Sequence, residues 1–438
     1  MMTRRKFFEN SILLSGSAFV VPTILPSSLF GAEAPSNRIN VAMIGCGRQA
    51  MSPNIVQMLK SPNAQVIAVC DVDNWRRENA RLKVNEFYAA QKGVSYNGCR
   101  ADGDYRKILA MKDVDAVMIS SPDHWHVPMA IDAIRAGKHI SLEKPISTCI
   151  AHSKRLIKML KQHPEIITRN DSEFRTLPAF IRCAEIVRSG RIGTLKRIQV
   201  STHGESAPES TIIPTMPVPP ELDYDMWLGP CWEVPYTMDR VHAQKEYGKP
   251  GWMRIADYCN GQITNWGAHL LSVVQWAKGS EYTGPVSVEG TGEYLRGLWN
   301  TLNKFDLKYK YADGVELDFN IDKAYIIFEG TDGWVKIAYK DNLTASSEKI
   351  LEPAAPGEFT FGEILSDKED FLMAIKNKKP SLEPLETAHR TISMCQMGLI
   401  AVETGNKLTW DPVKEDFVGD NAASALLDRP IREKYFKW

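Results

Sequence analysis

Two glycines and an aspartate have the spacing of a site that binds a dinucleotide. The turn after the first predicted strand reads G-x-G-x-x-A from Gly45 to Ala50, and Asp71 follows Gly45 by 26 positions. Gly45 permits a tight turn, Gly47 lets the backbone approach a pyrophosphate, and the next helix directs its N–H groups at that group. Asp71 can bind the ribose hydroxyls, and because its charge repels a 2′-phosphate we expect NAD rather than NADP. The turn residues assigned to cofactor binding are Gly45, Cys46, Gly47, Arg48 and Gln49.

The elements around this turn are the ones that the motif requires. A short apolar strand, 38–44, precedes the turn, a helix with an apolar side follows it, and a second strand, 65–70, ends at Asp71. A glycine-rich turn alone is weak support for nucleotide binding, but this context predicts an α/β fold with a doubly wound parallel sheet of the Rossmann type. Arg76 and Arg77, just beyond Asp71, could soften the preference for NAD, but we expect them to be solvated charges on a helix.

Two further polar clusters follow predicted strands of the same sheet. Residues 120–126 come after the strand 114–119, and Glu143 and Lys144 come after the strand 138–142. Ligands of an open parallel sheet lie beyond the carboxyl ends of its strands, so these clusters should border the cofactor. The residues added to the cofactor site are Ser120, Pro122, His124, His126, Glu143 and Lys144.

His124 and His126 are two positions apart, a spacing that could indicate a metal site. No third ligand has a fitting position, and hydride transfer to a nicotinamide needs no metal. We therefore expect both histidines to line the nicotinamide end of the pocket, and we expect no bound metal.

The sequence around Lys144 resembles that of a known group of oxidoreductases. Glu143-Lys144-Pro145, at this distance behind the glycine turn, is similar to the Gfo/Idh/MocA superfamily, named after glucose–fructose oxidoreductase and inositol dehydrogenase. The resemblance extends to the Ser-Pro-Asp-His-x-His loop and to three later segments, 261–269, 410–412 and 428–430. It implies a Rossmann domain followed by a domain with a large, mostly antiparallel open sheet.

The resemblance also implies that Lys144 and His269 face the substrate beside the nicotinamide. A lysine held near the positively charged nicotinamide, and partly removed from water, can take up a hydroxyl proton near neutral pH while hydride leaves the same carbon. The family commonly has aspartates at the positions of Asn265 and Ser272, where a carboxylate would orient the histidine and raise its basicity. Asn265 can form a hydrogen bond but adds no charge. Lys144 is therefore the favoured general base, and the role of His269 is less defined.

The second half carries the predicted substrate site. We expect a helix over 178–189, strands over 196–203 and 286–341, a proline-rich loop over 204–235, and a closing helix over 383–404. Aromatic side chains pack against the C–H faces of sugars, and the tryptophans in or near the loop are Trp227, Trp232, Trp252 and Trp266. The residues assigned to the substrate are Arg254, Tyr258, Asn265 and Trp266.

Bulk composition narrows the classes of protein and partner. The 438 residues are too many for one ordinary core and predict two domains. Lys and Arg balance Asp and Glu, which argues against nucleic acid or an anionic membrane surface as the main partner. The eight cysteines contain no C-x-x-C pair and should be mostly buried free thiols. We expect a small carbohydrate as the substrate and a homo-oligomeric assembly.

The first 34 residues have the pattern of an export signal. Arg4 and Arg5 precede an apolar stretch, and Ala32-Glu33-Ala34 has small residues where a signal peptidase cuts. The pattern predicts twin-arginine export of a folded, cofactor-loaded protein to the periplasm or a comparable exported location, with an uncleaved anchor as the alternative. We expect no membrane insertion of the mature chain, since no other stretch approaches the length of a span. The predicted division is a signal at 1–34, a Rossmann domain at 35–165 and a substrate domain at 166–438.

Two reactions fit these predictions. The first is NAD-dependent oxidation of a sugar or glycoside hydroxyl, for example at C3, with a tightly bound cofactor. In the second, the same oxidation allows elimination, hydration and re-reduction, so that the net reaction is glycoside hydrolysis, as in some members of the superfamily. A non-catalytic nucleotide-binding or sugar-sensing protein is a third class, which the intact Lys144 disfavours.

Overall fold

Six parallel strands form the first sheet of the computed structural model. They are β1 (Ile39–Ile44), β2 (Ala64–Cys70), β3 (Arg100–Asp102), β4 (Ala116–Ile119), β5 (His139–Glu143) and β6 (Thr168–Asp171). Their order along the sheet is β3-β2-β1-β4-β5-β6, and every pairing is parallel. The order reverses at β1, which leaves a crevice beyond the carboxyl ends of β1 and β4. This sheet confirms the predicted doubly wound α/β fold.

Helices connect these strands and cover both faces of the sheet. They are α1 (Ile55–Lys60), α2 (Asn74–Lys92), α3 (Tyr105–Leu109), α4 (His126–Arg135) and α5 (Ile150–Leu160). A π-helical segment, Ala50–Asn54, leads into α1 and contains Pro53, which has no N–H to donate. Asp73 accepts a hydrogen bond from the Arg76 N–H and so begins α2 as its N-cap.

Nine strands form the second sheet. They are β7 (Leu195–Thr202), β8 (Ser287–Tyr294), β9 (Leu302–Lys310), β10 (Glu316–Ile321), β11 (Tyr325–Gly330), β12 (Trp334–Ala338), β13 (Asn342–Ala345), β14 (Leu408–Asp411) and β15 (Asp416–Phe417). The order is β13-β12-β11-β7-β10-β9-β8-β14-β15, and only β7 and β10 pair in parallel. In β9, buried Phe305 and Leu307 alternate with exposed Lys304 and Asp306, because one face of the sheet packs on the core. The mostly antiparallel second sheet is thereby confirmed.

The remaining α-helices of the described residues come after β6 along the chain. They are α6 (Pro178–Arg188), α7 (Tyr224–Leu228), α8 (Gln262–Asn265), α9 (Gly267–Lys278), α10 (Glu348–Leu351), α11 (Asp367–Asn377), α12 (Leu385–Thr404) and α13 (Asn421–Ala425). Helix α9 packs against both α6 and α12. The proline-rich stretch predicted as loop contains the short helix α7.

Two packing features cross the boundary predicted at residue 165. Strand β6 belongs to the first sheet, so that sheet continues beyond the predicted boundary at residue 165. Helix α11 returns from the second half, and its Phe371 and Leu372 join the core of the first sheet. Lys368 of α11 pairs with Asp171 at the end of β6. Elements from both sides of residue 165 therefore pack together, and the division into domains stays a prediction.

The structure describes residues 37–205, 213–340 and 342–438. The export signal predicted at 1–34 lies outside these residues. Within the described ranges, no helix combines the length and the apolar character that a membrane crossing requires. The eight cysteines are all free and seven of them are buried, which confirms the prediction of free thiols.

Candidate active site

A cavity of about 380 Å³ lies where the carboxyl ends of the first sheet meet the second half. Its walls contain the glycine turn, Asp71 and Lys144 from the first half, and Asn265 and His269 from the second. Most of the residues predicted for the cofactor and some of those predicted for the substrate therefore border one continuous space.

The glycine turn fits a pyrophosphate by the shape of its backbone. Gly45 has a φ of +87°, and a Cβ there would lie 2.6 Å from the backbone of Ser120. No side chain can be accommodated at that position. A Cβ at Gly47 would meet no heavy atom within 4 Å, so this glycine faces open space. The exposed Arg48 and Gln49 also border the cavity. The turn thus leaves the free backbone surface that a pyrophosphate needs.

Asp71 is fixed by two backbone N–H groups at the end of β2. The Cys46 N–H donates to its Oδ2 at 2.7 Å and the Asp73 N–H donates to its Oδ1 at 2.8 Å. A carboxylate has about four acceptor positions, so lone pairs remain for ribose hydroxyls. The side chain of Cys46 is buried beneath the turn and does not border the cavity. Its part in the site is therefore the N–H that orients Asp71.

Arg76 is buried, which corrects the expectation that it is a solvated charge. Only 5% of the residue is exposed, and its Nη2 donates to the carbonyls of Glu246 at 2.8 Å and Ala243 at 3.3 Å. Arg76 also borders the cavity. Arg77 instead donates to the Asp71 carbonyl and to the Asn74 side chain at the start of α2. The sequence pattern missed the burial of Arg76 because its partners come from the second half.

The partners of Arg76 belong to a covering segment, residues 241–252, that lies over this end of the cavity. His242 contacts Asp73 at 3.1 Å between Nε2 and Oδ2, and both side chains are buried. Burial alone would raise the pKa of Asp73, but hydrogen bonds from His242 and from the Arg76 N–H hold it below its ordinary value. His242, Gly248, Pro250 and Trp252 border the cavity. The second half therefore encloses the adenosine end of the proposed cofactor site.

Lys144 projects into the cavity from the end of β5. Its Nζ donates a hydrogen bond to Asn265 Oδ1 at 2.6 Å. Glu143, the preceding residue, is buried and accepts from Asn54 Nδ2 at 2.8 Å. Burial, with the nearby charge of Asp171, raises the pKa of Glu143 to about 8. Asn265 thus positions the lysine amine toward the centre of the cavity.

His269 borders the same part of the cavity from α9. Its Nδ1 lies 2.9 Å from Ser172 Oγ, and Nε2 has no hydrogen-bond partner among the described residues. Burial, reinforced by the charge of Lys144, holds the pKa of His269 well below its ordinary value. The imidazole is therefore neutral at neutral pH, with one ring nitrogen free for a ligand.

The two positions at which the family commonly has aspartate do not orient His269 in this chain. Asn265 binds Lys144 instead, and Ser272 accepts from Arg175 Nε at 2.7 Å and donates to Glu383 Oε1 at 2.7 Å. Ser172, which the motif search did not identify, holds the histidine ring. The short 3-10 helix Glu173–Thr176, which follows Ser172, packs against α9 and so brings this serine to His269.

The two histidines after β4 have different surroundings. His126 borders the cavity and lies 2.7 Å from the Pro145 carbonyl and 2.8 Å from the Ser121 carbonyl, so it fixes the loop that carries Lys144. His124 does not border the cavity, because its ring is buried against Trp227 and Tyr258 and its Nε2 meets the Trp227 carbonyl at 2.9 Å. Burial lowers the pKa of His126 to about 4 and that of His124 to about 3. The expectation that both line the pocket is thus corrected for His124, while Ser120 and Pro122 do border it.

Asp123 and Cys259 also border the cavity, although neither was assigned to the site from the sequence. Asp123 is 4% exposed, and its Oδ2 has no hydrogen-bond partner among the described residues. Burial raises the pKa of Asp123 to about 7, although a hydrogen bond with Cys259 and the charge of Lys144 oppose that rise. The site therefore contains a carboxyl group that can change protonation near neutral pH.

Arg254 and Tyr258, which were assigned to the substrate, do not border the cavity. The Arg254 Nε donates to Glu205 Oε2 at 2.6 Å. Tyr258 is buried in a hydrophobic cluster against Trp227. Of the four tryptophans, Trp227, Trp252 and Trp266 border the cavity, whereas Trp232 is exposed elsewhere.

One group of possible metal ligands lies away from the cavity, within the described residues. Cys149 Sγ, a His152 ring nitrogen and an Asp428 oxygen lie within 4.8 Å of one another. Arg155 binds both oxygens of Asp428, and His152 Nε2 lies 2.9 Å from the Arg429 carbonyl. These side chains are therefore occupied with one another and with the C-terminal tail.

Two family models match the chain. The model described as oxidoreductase family, NAD-binding Rossmann fold, matches residues 39–170, and the model described as oxidoreductase family, C-terminal alpha/beta domain, matches residues 185–437. An uncharacterised oxidoreductase of Synechocystis is 33% identical over 165 residues, which cover 38% of this chain and 41% of the relative. A glycosyl hydrolase family 109 protein of Shewanella sp. strain ANA-3 is 32% identical over 130 residues, which cover 30% and 28%. The matched regions thus span less than half of the length of these curated relatives.

Solved structures share the fold over most of the chain. An aldose–aldose oxidoreductase from Caulobacter crescentus, complexed with glycerol, has a TM-score of 0.61 at 15% identity, covering 85% of this chain and 99% of that chain. The WlbA dehydrogenase from Bordetella pertussis, in complex with NADH and UDP-GlcNAcA, has a TM-score of 0.61 at 14% identity and the same coverage. With both family domains matched over residues that form the two sheets, the chain belongs to the Gfo/Idh/MocA oxidoreductase family.

Proposed function

We propose that the protein oxidises a hydroxyl group of a sugar or glycoside with a tightly bound NAD. The observation that carries this proposal is that the Lys144 amine, held by Asn265, faces the same cavity as the glycine turn and Asp71. A dinucleotide on the turn can extend along this cavity to Lys144. Similar proteins with sugar names support the substrate class, among them a dTDP-3,4-didehydro-2,6-dideoxy-α-D-glucose 3-reductase of Streptomyces violaceoruber that is 28% identical over 163 residues.

The residues of the site supply the proton chemistry of this oxidation. A nicotinamide bound there would supply the hydride acceptor. Lys144 Nζ takes the hydroxyl proton as hydride leaves the same carbon, and Asn265 keeps the amine aimed at that hydroxyl. His269, neutral and with a free Nε2, binds the same hydroxyl or its neighbour and so fixes the carbon that reacts. The reverse sequence returns the proton from Lys144 to a ketone.

NAD is preferred to NADP in this proposal. Asp71 places a carboxylate at the end of β2, and the N–H groups of Cys46 and Asp73 hold it in one orientation. Arg76 also borders the cavity, and its Nη2 binds two carbonyls of the covering segment. The carboxylate of Asp71 repels a 2′-phosphate and therefore favours a cofactor with a free 2′-hydroxyl.

Export by the twin-arginine route is part of the same proposal. Outside the cytoplasm no pool of NAD is maintained, so an enzyme that released its nucleotide after each turnover would stop. The contacts of the covering segment with Arg76 and Asp73 support slow release of the nucleotide. The cofactor then acts as a prosthetic group, and a second carbonyl compound, an external acceptor or the substrate itself takes the hydride back.

The alternative is glycoside hydrolysis by transient oxidation, elimination, hydration and re-reduction. The similarity to glycosyl hydrolase family 109 proteins favours it. Asp123 adds a specific reason, because elimination needs a group that removes a C–H proton besides the one that removes the hydroxyl proton. Asp123 borders the cavity and changes protonation near pH 7.

One experiment tests the proposal and separates the two reactions. Purified, desalted protein is first denatured, and its supernatant is analysed by mass spectrometry for NAD(H). The loaded protein is then incubated with a panel of glucosides, and both keto-sugar formation and aglycone release are followed. Formation of keto-sugar without aglycone release supports the dehydrogenase. Release of one aglycone for each glucoside consumed supports the hydrolase. If neither keto-sugar nor aglycone forms although NAD(H) is bound, the proposed function is contradicted.

A further inference from the structure

Two aromatic rings form a right-angled corner beside the catalytic end of the cavity. The ring centroids of Trp266 and Tyr339 are 4.9 Å apart, with an interplanar angle of 89°. Both residues border the cavity, and Tyr339 is 40% exposed. A corner of this kind offers one aromatic face for stacking and a second as a side wall.

A third ring ties the corner to the catalytic histidine. Phe174 is buried and stacks on His269 with centroids 4.5 Å apart and on Tyr339 with centroids 5.8 Å apart. The phenyl ring therefore lies between His269 and Tyr339. A sugar ring whose reacting hydroxyl binds His269 is separated from Tyr339 by the Phe174 ring. The corner is therefore available to a group that is attached to that sugar.

Polar groups of the corner are free to bind hydroxyls. Neither the Tyr339 hydroxyl nor the Trp266 indole N–H has a hydrogen-bond partner within the residues that the structure describes. Glu173 borders the same part of the cavity with 45% of its side chain exposed, and the neutral His269 ring lies 3.9 Å away, measured from Nδ1 to the Glu173 carboxylate. One carboxylate acceptor and two donors beside aromatic faces match the alternating hydroxyls and C–H faces of a pyranose. The negative charge of Glu173 disfavours a uronic acid in this place.

We propose that Trp266, Tyr339 and Glu173 form a subsite for a second, neutral sugar ring, so that the substrate is a disaccharide or sugar glycoside rather than a free monosaccharide. This inference rests on the proposed function. The oxidised ring lies between Lys144 and His269, and the ring attached to it stacks in the corner. Specificity for a two-ring substrate thus comes from residues that take no part in proton transfer.

The test compares one sugar alone with the same sugar in a disaccharide. In NAD-loaded protein, with a fixed excess of a carbonyl compound added to take the hydride back, kcat/KM is measured for glucose and for a glucosyl-glucose, in the unaltered chain and in Tyr339→Ala. The variant should lose about 10-fold in kcat/KM for the disaccharide and should be unchanged for glucose, as expected for loss of an aromatic stacking contact. Tyr282→Ala is the matched control, because Tyr282 is exposed and does not border the cavity. In a second variant, Glu173→Gln, kcat/KM for a disaccharide ending in a uronic acid should increase relative to kcat/KM for the neutral disaccharide.

The outcomes separate this inference from the proposed function. Equal losses on both sugars, or no loss on the disaccharide, would overturn the subsite. If neither sugar is oxidised, the proposed function fails, and the subsite is decided by calorimetric binding of the disaccharide to the loaded protein. Weaker binding in Tyr339→Ala than in Tyr282→Ala then supports the subsite, and equal binding overturns it.

Discussion

The two ends of the cavity are built in different ways. At the cofactor end, the contacts that define the site involve backbone groups: the turn at Gly45, the N–H groups that hold Asp71, and the carbonyls that bind Arg76. At the substrate end they are side chains, such as the pair of Lys144 and Asn265. A substitution does not remove a backbone group, so backbone contacts suit a ligand that stays bound. A substitution does replace a side chain, so the substrate end can be adapted to a different sugar. The comparison indicates that retention of the cofactor and choice of the substrate can be altered independently.

Replacing Lys144 with Ala should have the largest effect, and this effect should be confined to the substrate end. Turnover should decrease by about 100-fold or more, because the hydroxyl proton loses its acceptor. The nucleotide content of the purified protein should stay unchanged. Steady-state kinetics and mass spectrometry of bound nucleotide measure the two quantities, with the exposed Lys161→Ala as the control. Near-normal turnover in Lys144→Ala would contradict the assignment of the base.

Removing hydrogen bonds that hold the covering segment should change retention of the cofactor alone. Arg76→Ala removes two hydrogen bonds to the carbonyls of that segment, and bound NAD should dissociate about 10-fold faster. The release rate is measured by trapping freed nucleotide with excess labelled NAD. Arg81→Ala, on the same helix but paired with Glu78, is the matched control and should leave the rate unchanged. Equal release rates in the two variants would show that the segment does not retain the cofactor.

Removing the Asp71 carboxylate should change the preference between cofactors by a smaller factor. In Asp71→Ala the repulsion of a 2′-phosphate disappears, so the ratio of NAD to NADP affinity should decrease several-fold. Binding of each nucleotide to the stripped protein can be followed by tryptophan fluorescence. If the unaltered protein already binds NADP more tightly, the role given to Asp71 is wrong.

The buried carboxyl of Asp123 predicts a small effect of pH on stability. Burial raises its pKa from an ordinary 3.8 to about 7 in the folded protein. The folded state thus favours the protonated form, and the stability that this contributes is present below pH 3.8 and lost as the pH rises toward about 7. Asp123→Asn cannot ionise, so its Tm relative to the unaltered protein should increase by a few degrees between pH 5 and about 8. A constant difference in Tm over that range would contradict the raised pKa.

The cofactor end could be predicted because its residues are close in sequence. A glycine turn, a strand and an aspartate come within 26 positions, and the local elements fix their geometry. Lys144 was found for the same reason, since it follows a strand of that sheet. Arg76 was misjudged and Ser172, Phe174 and Tyr339 were not found, because each acquires its role from a partner far along the chain.

Two of the four substrate residues, Arg254 and Tyr258, were misplaced for a similar reason. Arg254 and Tyr258 were chosen for their chemistry and their position before a motif, yet an ion pair with Glu205 and a hydrophobic cluster occupy them. Polar type and proximity in sequence do not tell whether a side chain faces a cavity. Asn265 was assigned to the substrate, and its contact with Lys144 was not foreseen, because the two residues are 121 positions apart in the chain.

The central claim is that a sugar is oxidised by a nucleotide that never leaves the protein. The most direct measurement uses desalted protein with a glucoside deuterated at C3 and an unlabelled 3-ketoglucoside of a different aglycone, with no added NAD. The account predicts that deuterium passes from the first compound to C3 of the second through the bound cofactor, and that the total nucleotide stays with the protein. Transfer that appears only with millimolar added NAD, together with rapid loss of the bound nucleotide, would contradict it.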